Sequence, residues 1–173
     1  DFVVGSAHAT LLAFPEWQGA KLLAACGQHT YWFLVIRSDL KPQRGDLSVV
    51  KGLRIGAAPG VNLSLQRMLV EAGIDPEKNN VQIMPIPGAA GPNVSFGLSA
   101  AKALDAGTLD GCWANGMGCE VAVRRGVGTM VLDVRRGDGP TVARHYTFSA
   151  LVATDKTITD NPAATRAART CCA

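Results

Sequence analysis

The alternation of short apolar runs with segments of helical period most constrains what this chain can fold into. From residue 53 to residue 134 the two kinds of segment follow one another, and glycine or proline stands at nearly every junction. Such alternation specifies α/β architecture with a largely parallel sheet. Residues 53–57 read as a strand, Pro59-Gly60 as a turn, and Asn62 as the cap of a helix running to Ala72. Leu65, Met68, Leu69 and Ala72 fall on one face of that helix, and Gly73 ends it. Residues 81–86 form the next strand. Pro87-Gly88 opens a loop, and Asn93 can cap a second helix whose apolar stripe is Phe96, Ala100, Ala103 and Leu104. Strands at 109–113 and 129–134 follow, separated by a short helix over 119–125.

The flanks differ. Asp1-Phe2-Val3-Val4-Gly5 reads as a buried strand, turning through Ser6-Ala7-His8 into a short helix that Pro15 interrupts. Residues 21–26 read as a second strand. Two long strands rich in β-branched and aromatic residues, 31–37 and 146–154, bracket the middle block. A unit of about 100 residues between two such strands has the form of a domain inserted into another. Residues 1–40 then belong to a first lobe and the first crossover, 41–145 to a second lobe, and 146–173 to the second crossover and the return. The polar stretch 37–46, with Pro42 and Gly45, is the best linker candidate. The abrupt strand at the start and the Ala-rich Asn161-Pro162 helix at the end read as parts of a longer chain, so the absence of a leader peptide carries no information on compartment.

Composition narrows the function. Apolar residues make up 47% of the 173 and charged residues 18%, enough for a core and too few charges for a disordered chain. The net charge is only +3 and dispersed; Arg124-Arg125 and Arg135-Arg136 read as solvated turn residues without interleaved aromatics, which argues against nucleic-acid binding. No apolar run approaches the roughly 18 residues of a membrane-spanning helix. Five cysteines lack zinc spacing, so no metal site is expected. Cys26 and Cys112 read as small buried hydrophobes, and a Cys112–Cys119 disulfide is sterically open to the sequence but not established by it. No nucleophile elbow, metalloprotease or phosphate-loop pattern occurs, and Gly56-Ala57-Ala58-Pro59-Gly60 lacks dinucleotide-fingerprint spacing. No catalytic residue and no cofactor is expected.

Four segments, in order, carry a resemblance: Asp1-Phe2-Val3-Val4-Gly5-Ser6; Leu53-Arg54-Ile55-Gly56 with Glu71-Ala72-Gly73-Ile74-Asp75-Pro76; Ala103-Leu104-Asp105-Ala106-Gly107 through Trp113; and Leu151-Val152-Ala153-Thr154-Asp155-Lys156 before Asn161-Pro162. Together they resemble the substrate-binding proteins of nitrate/sulfonate/taurine-type ABC transporters, a group that includes thiamine-pyrimidine-precursor-like proteins. The resemblance covers nearly the whole chain but only the later part of the family's length. Trp113-Ala114-Asn115-Gly116 departs from the family's usual acidic-Pro sequence after the Trp, and the Cys171-Cys172 tail departs from its longer C-terminal helices.

The resemblance implies a type II periplasmic-binding-protein-like fold: two lobes with parallel-rich sheets, joined by two crossover strands, the first lobe incomplete. It implies capture of a small anionic or polar solute (a sulfonate, nitrate, carboxylate or aromatic) in an interlobe cleft. The implied partners are a membrane permease and ATPase, the implied location periplasmic or lipid-anchored outside the cytoplasm. Physical chemistry places the contacts where strand ends meet helix starts, because helix N-termini present free N–H groups to anions. The candidate ligand residues are Ser6, Ala7, His8, Thr30, Tyr31, Gly60, Val61, Asn62, Gly88, Trp113 and Asn115. Each has a plain competitor: Ser6 and Asn62 as ordinary caps, Pro59-Gly60 as a turn, Trp113 as core, His8 as a packed or surface histidine. His29 and His145, beside the two crossovers, have a similar status. Two other functions share this architecture. One is a cleft enzyme of the thiamine-pyrimidine or menaquinone-pathway type, with His8 or Cys119 as reactive group; the other is the effector-binding domain of a LysR-type regulator.

Overall fold

A computed structural model describes residues 1–27, 29–91 and 94–172. In chain order the elements are β1 (Phe2–Ser6), α1 (Ala7–Ala13), β2 (Ala20–Ala25), β3 (Phe33–Arg37), β4 (Arg54–Ala57), α2 (Val61–Glu71), β5 (Gln82–Met84), α3 (Phe96–Asp105), β6 (Gly111–Ala114), α4 (Gly116–Arg124), β7 (Gly128–Asp133), α5 (Thr141–Arg144), β8 (Ser149–Thr154), α6 (Asp155–Asp160) and α7 (Pro162–Cys171). They divide into two units: residues 1–30 with 145–173, and residues 31–144.

The second unit is a mixed α/β sandwich. Its five strands run in the order β5-β4-β6-β3-β7. Strand β4 is parallel to β5 and β6, whereas β3 is antiparallel to β6 and β7. Alternation along the strands loads both faces. Phe33, Val35, Cys112 and Ala114 pack with Ala100, Ala103 and Leu104 of α3 and Cys119 and Ala122 of α4. Trp113, on the opposite face of β6, meets Ser64 of α2. The expected helical face of α2 is buried at Leu65, Met68 and Leu69. Helices α3 and α4 approach closely because Gly97 and Gly118 face each other: a Cβ at Gly118 would overlap the Gly97 carbonyl.

The first unit is smaller. Its sheet has the order β1-β8-β2, and β8 is antiparallel to both neighbours. The expectation of parallel-rich sheets throughout therefore holds only for part of the second unit. Ala7, Ala20, Ala150 and Val152 form its small core, with Phe14 packed against them.

Several local expectations are corrected. Strand β1 is not buried: Val3 and Val4 are 59% and 60% exposed. Strand β3 is an interior strand of the second unit's sheet, and β8 is the middle strand of the first unit's. Residues 37–46 are not a linker. The Ser38 amide donates to Val127 O (3.1 Å) and the Gly45 amide to Val131 O (2.8 Å), and Ser38 Oγ pairs with Thr129 Oγ1 (2.9 Å). Those bonds fasten the stretch along β7, within the second unit. Helix α2 is capped by Gly60 at φ 81°, not by Asn62, which lies one residue inside the helix. Asn93 and its capping role lie outside the described residues; the N-cap of α3 is Ser95, whose Oγ accepts from the Leu98 amide. Asn161 precedes Pro162 at the start of α7 as expected, but its side chain makes no capping bond. Arg135, far from a free turn residue, grips Asp133 with two hydrogen bonds of 3.0 Å and lies 4.3 Å over the Phe33 ring.

Candidate functional site

In the second unit strand direction gathers most of the candidate residues on one edge. Ala57 pairs with Trp113 across the parallel β4–β6 ladder, and Gly56 with Met84 across β4–β5, so these three strands finish together. Strand β3 is antiparallel and starts at that edge, Phe33 opposite Ala114. Tyr31, Gly60, Val61, Asn62, Gly88 and Asn115 all follow or precede strands there. This is the edge where doubly wound sheets bind ligands.

Side-chain contacts link part of that set. Tyr31 stacks on Trp32 (centroids 5.7 Å) and Trp32 on Trp113 (6.4 Å). The Tyr31 hydroxyl hydrogen-bonds the Asn115 side chain; burial pushes its pKa up, and that bond partly opposes the shift. The Trp113 indole donates to Ser64 Oγ (3.2 Å), and Ser64 donates to the Val61 carbonyl (2.7 Å). A chain of contacts therefore runs from Asn115 through three aromatic rings to the first turn of α2. Trp113 itself is 1% exposed, so it supports this network as core and is not a wall open to a ligand. In that first turn the Asn62 amide already donates to Ala58 O (3.0 Å) and the Leu63 amide to Gly60 O (3.4 Å). The helix's remaining first-turn donors are the amides of Gly60 and Val61. Gly88 is exposed at φ 67° and its carbonyl accepts from Ser99 Oγ (3.0 Å).

In the first unit the remaining candidates also share one end of a sheet. Ser6 pairs with Ser149 and Ala25 with Ala150, so β1 and β2 end where β8 begins. Ser6 Oγ and His8 Nδ1 are buried there without a hydrogen-bond partner. Buried polar atoms are rarely left so, and each costs the desolvation of a polar group. Burial also holds the His8 imidazole below the ordinary histidine range. The other two candidates are structurally committed. The Ala7 amide donates to Phe148 O (2.9 Å), and Thr30, 2% exposed, donates its hydroxyl to Tyr146 O (3.3 Å). His29 and His145 meet edge to face with centroids 5.6 Å apart. The chain thus leaves and re-enters the first unit at neighbouring points.

Cys119 is fully buried beneath β6 against Cys112, which removes it as a reactive group open to a substrate. Both thiols are free rather than bridged; the hydrogen bond between them and burial raise the Cys112 thiol well above its ordinary value. Among the described residues no group of three or more His, Cys, Asp or Glu could hold a metal ion. Sequence reading passed over the Ser64 relay and the Arg54–Asp110 clamp. In the clamp Arg54 Nε and Nη2 donate to Asp110 at 2.9 and 2.8 Å, and Nη2 also reaches Gly107 O. Nothing local in the sequence marks a pair 56 positions apart.

No protein family matches the chain by sequence profile, and no curated protein sequence matches it. Solved structures do. The chain superposes on a protein of Bordetella bronchiseptica RB50 with a TM-score of 0.72 at 18% identity, covering 98% of this chain and 52% of that one. It superposes on the alkanesulfonate-binding protein SsuA from Xanthomonas axonopodis pv. citri, bound to MOPS, at 0.66 and 14% identity (92% and 50% covered). The periplasmic nitrate-binding protein NrtA from Synechocystis PCC 6803 gives 0.62 at 14% identity (91% and 42%). The fold is that of the periplasmic binding proteins of ABC transporters. This chain spans about half the length of those structures.

Proposed function

We propose that this chain is the solute-binding part of an ABC importer and takes a small oxyanion or polar solute of sulfonate, nitrate, carboxylate or aromatic type. The observation that supports the reading is the gathering of Tyr31, Gly60–Asn62 and Asn115 at one edge of the second unit's sheet, in a fold shared with sulfonate- and nitrate-binding proteins. The Gly60 and Val61 amides supply donors to an anion without a buried counter-charge. Tyr31 and Asn115 supply a hydroxyl and an amide held in place by their mutual bond.

Binding, not turnover, is the expected activity, with a membrane permease and ATPase as partners and an extracytoplasmic location. No described helix is long and apolar enough to cross a membrane.

The test is a thermal-shift screen of the chain with methanesulfonate, taurine, nitrate, acetate and benzoate. A solute at about 100 times its Kd should raise Tm by about 5–10 °C. No shift with any of them at millimolar concentration would overturn the anion reading; a solute chemically altered on incubation would favour a cleft enzyme.

A further inference from the structure

Arg135 stands at the same edge of the second unit's sheet as Tyr31, Gly60–Asn62 and Asn115. Phe33, the first residue of β3, is paired on one side with Ala114, the last of β6, and on the other with Asp133, the last of β7. The Arg135 guanidinium lies 4.3 Å over the Phe33 ring. It therefore sits where β6 and β7 both end, one strand away from the turn at Ala114-Asn115.

Two contacts hold the group in place. Asp133 is 4% exposed, and its carboxylate accepts from Arg135 Nε, Arg135 Nη2 and the Arg135 amide, each at 3.0 Å. The Phe33 ring supports the flat face of the guanidinium. The side-chain bonds to Asp133 use two of an arginine's five N–H donors, and the half-exposed side chain turns the remaining donors to solvent. Asp133 does not neutralise the cluster, because Arg136 Nε also lies 3.5 Å from it and two guanidiniums share one carboxylate. Glu120, exposed on α4, attracts Arg135 only from longer range, where water screens it. A cation held this rigidly loses little further side-chain freedom when it meets an anion.

We propose, resting on the binding role above, that Arg135 is a specificity-determining residue of the same site: its spare N–H donors bond the solute's oxygens, so the site takes an oxyanion (sulfonate, nitrate or carboxylate) in preference to an uncharged polar solute. The planar fork of donors suits a group carrying two or three oxygens on one centre.

The experiment titrates the isotopically labelled chain with methanesulfonate and with nitrate and follows two sets of NMR signals: the backbone amides of Tyr31, Gly60–Asn62 and Asn115, and the Arg135 Nε–H, which its bond to Asp133 protects from exchange. Both sets should shift and saturate together. By calorimetry Arg135→Gln should lower the affinity about 10- to 100-fold, as expected for a lost charge-assisted hydrogen bond. Arg135→Lys keeps the charge without the fork and should fall between. Lys78→Gln makes the same change of net charge at an exposed residue before β5, at the far end of the sheet, and should bind as the parent does. Dimethyl sulfone, the uncharged isostere of methanesulfonate, should not compete. Amide shifts without an Arg135 Nε–H shift, parental affinity in R135Q, or competition by dimethyl sulfone would overturn the role of Arg135 and leave the binding role standing. If R135Q does not fold, the Nε–H signal of the parent decides. A parent that binds neither anion would overturn the binding role and this inference with it.

Discussion

Gly118→Ala tests how the second unit is packed, because two effects of opposite sign compete there. Gly118 lies in α4, where alanine is intrinsically better than glycine by about 1 kcal/mol. Against this, the added Cβ would overlap the backbone carbonyl of Gly97 in α3. Overpacking a close-packed interior costs about 1–3 kcal/mol, and a clash with backbone falls at the upper end because no rotamer change relieves it. Helices α3 and α4 would have to separate, loosening Ala100, Ala103, Cys119 and Ala122, all buried at that interface. The net expectation is a loss of about 2 kcal/mol, or a Tm lowered by about 8 °C for a unit of this size. Gly97→Ala is the graded control. Its Cβ would lie 2.9 Å from Gly118 N and 3.0 Å from Gly118 Cα, so a smaller movement accommodates it and the loss should be about half as large. Urea unfolding followed by circular dichroism measures both. A G118A protein as stable as the parent, or more stable, would refute the Gly–Gly approach and the placement of α3 on α4.

Asp110→Asn should destabilise by about 1–3 kcal/mol, because it breaks a charge-assisted clamp on a carboxylate only 16% exposed. The Arg54 guanidinium holds the Asp110 carboxyl below its usual range, so the clamp's contribution is present above about pH 4 and is lost as pH falls through the depressed value; the variant's stability should vary less over that acid range. His8 has the opposite occupancy: its folded-state value is lowered, so the unfolded chain takes up the proton first and stability falls as pH drops below about 6.5. His8→Gln should remove that slope in thermal melts between pH 7 and 5. Asn62→Asp adds negative charge to the first turn of α2, which should stabilise the helix by about 0.3–1 kcal/mol while weakening an anionic ligand; unchanged affinity by calorimetry would take this helix out of the site.

The second unit was legible because its signals are local and repeated. The apolar face Leu65-Met68-Leu69 and the glycines closing helices locate α2, α3 and β6 to within a few residues. Failures arose where a distant partner decides. Residues 37–46 look like a linker because Pro42, Gly45 and several polar side chains crowd together, yet Ser38 and Gly45 spend their bonds on β7. Asn62 looks like a cap because of its residue type, but Gly60 at positive φ turns the chain two residues sooner. Strand β1 is apolar and still exposed, since apolarity alone does not say which faces of a strand are covered. Of the candidate site, the turns were visible and the contacts were not: no spacing rule joins Tyr31 to Asn115 or Ser64 to Trp113.

The central claim is that ligand is taken up at the turns ending β4 and β6. Amide NMR of the isotopically labelled chain, titrated with an alkanesulfonate and with nitrate, reads those turns residue by residue. Saturable shifts concentrated at Tyr31, Gly60–Asn62 and Asn115 are the predicted result. Unmoved signals there, or shifts confined to the Arg166–Arg169 surface of α7, would contradict it.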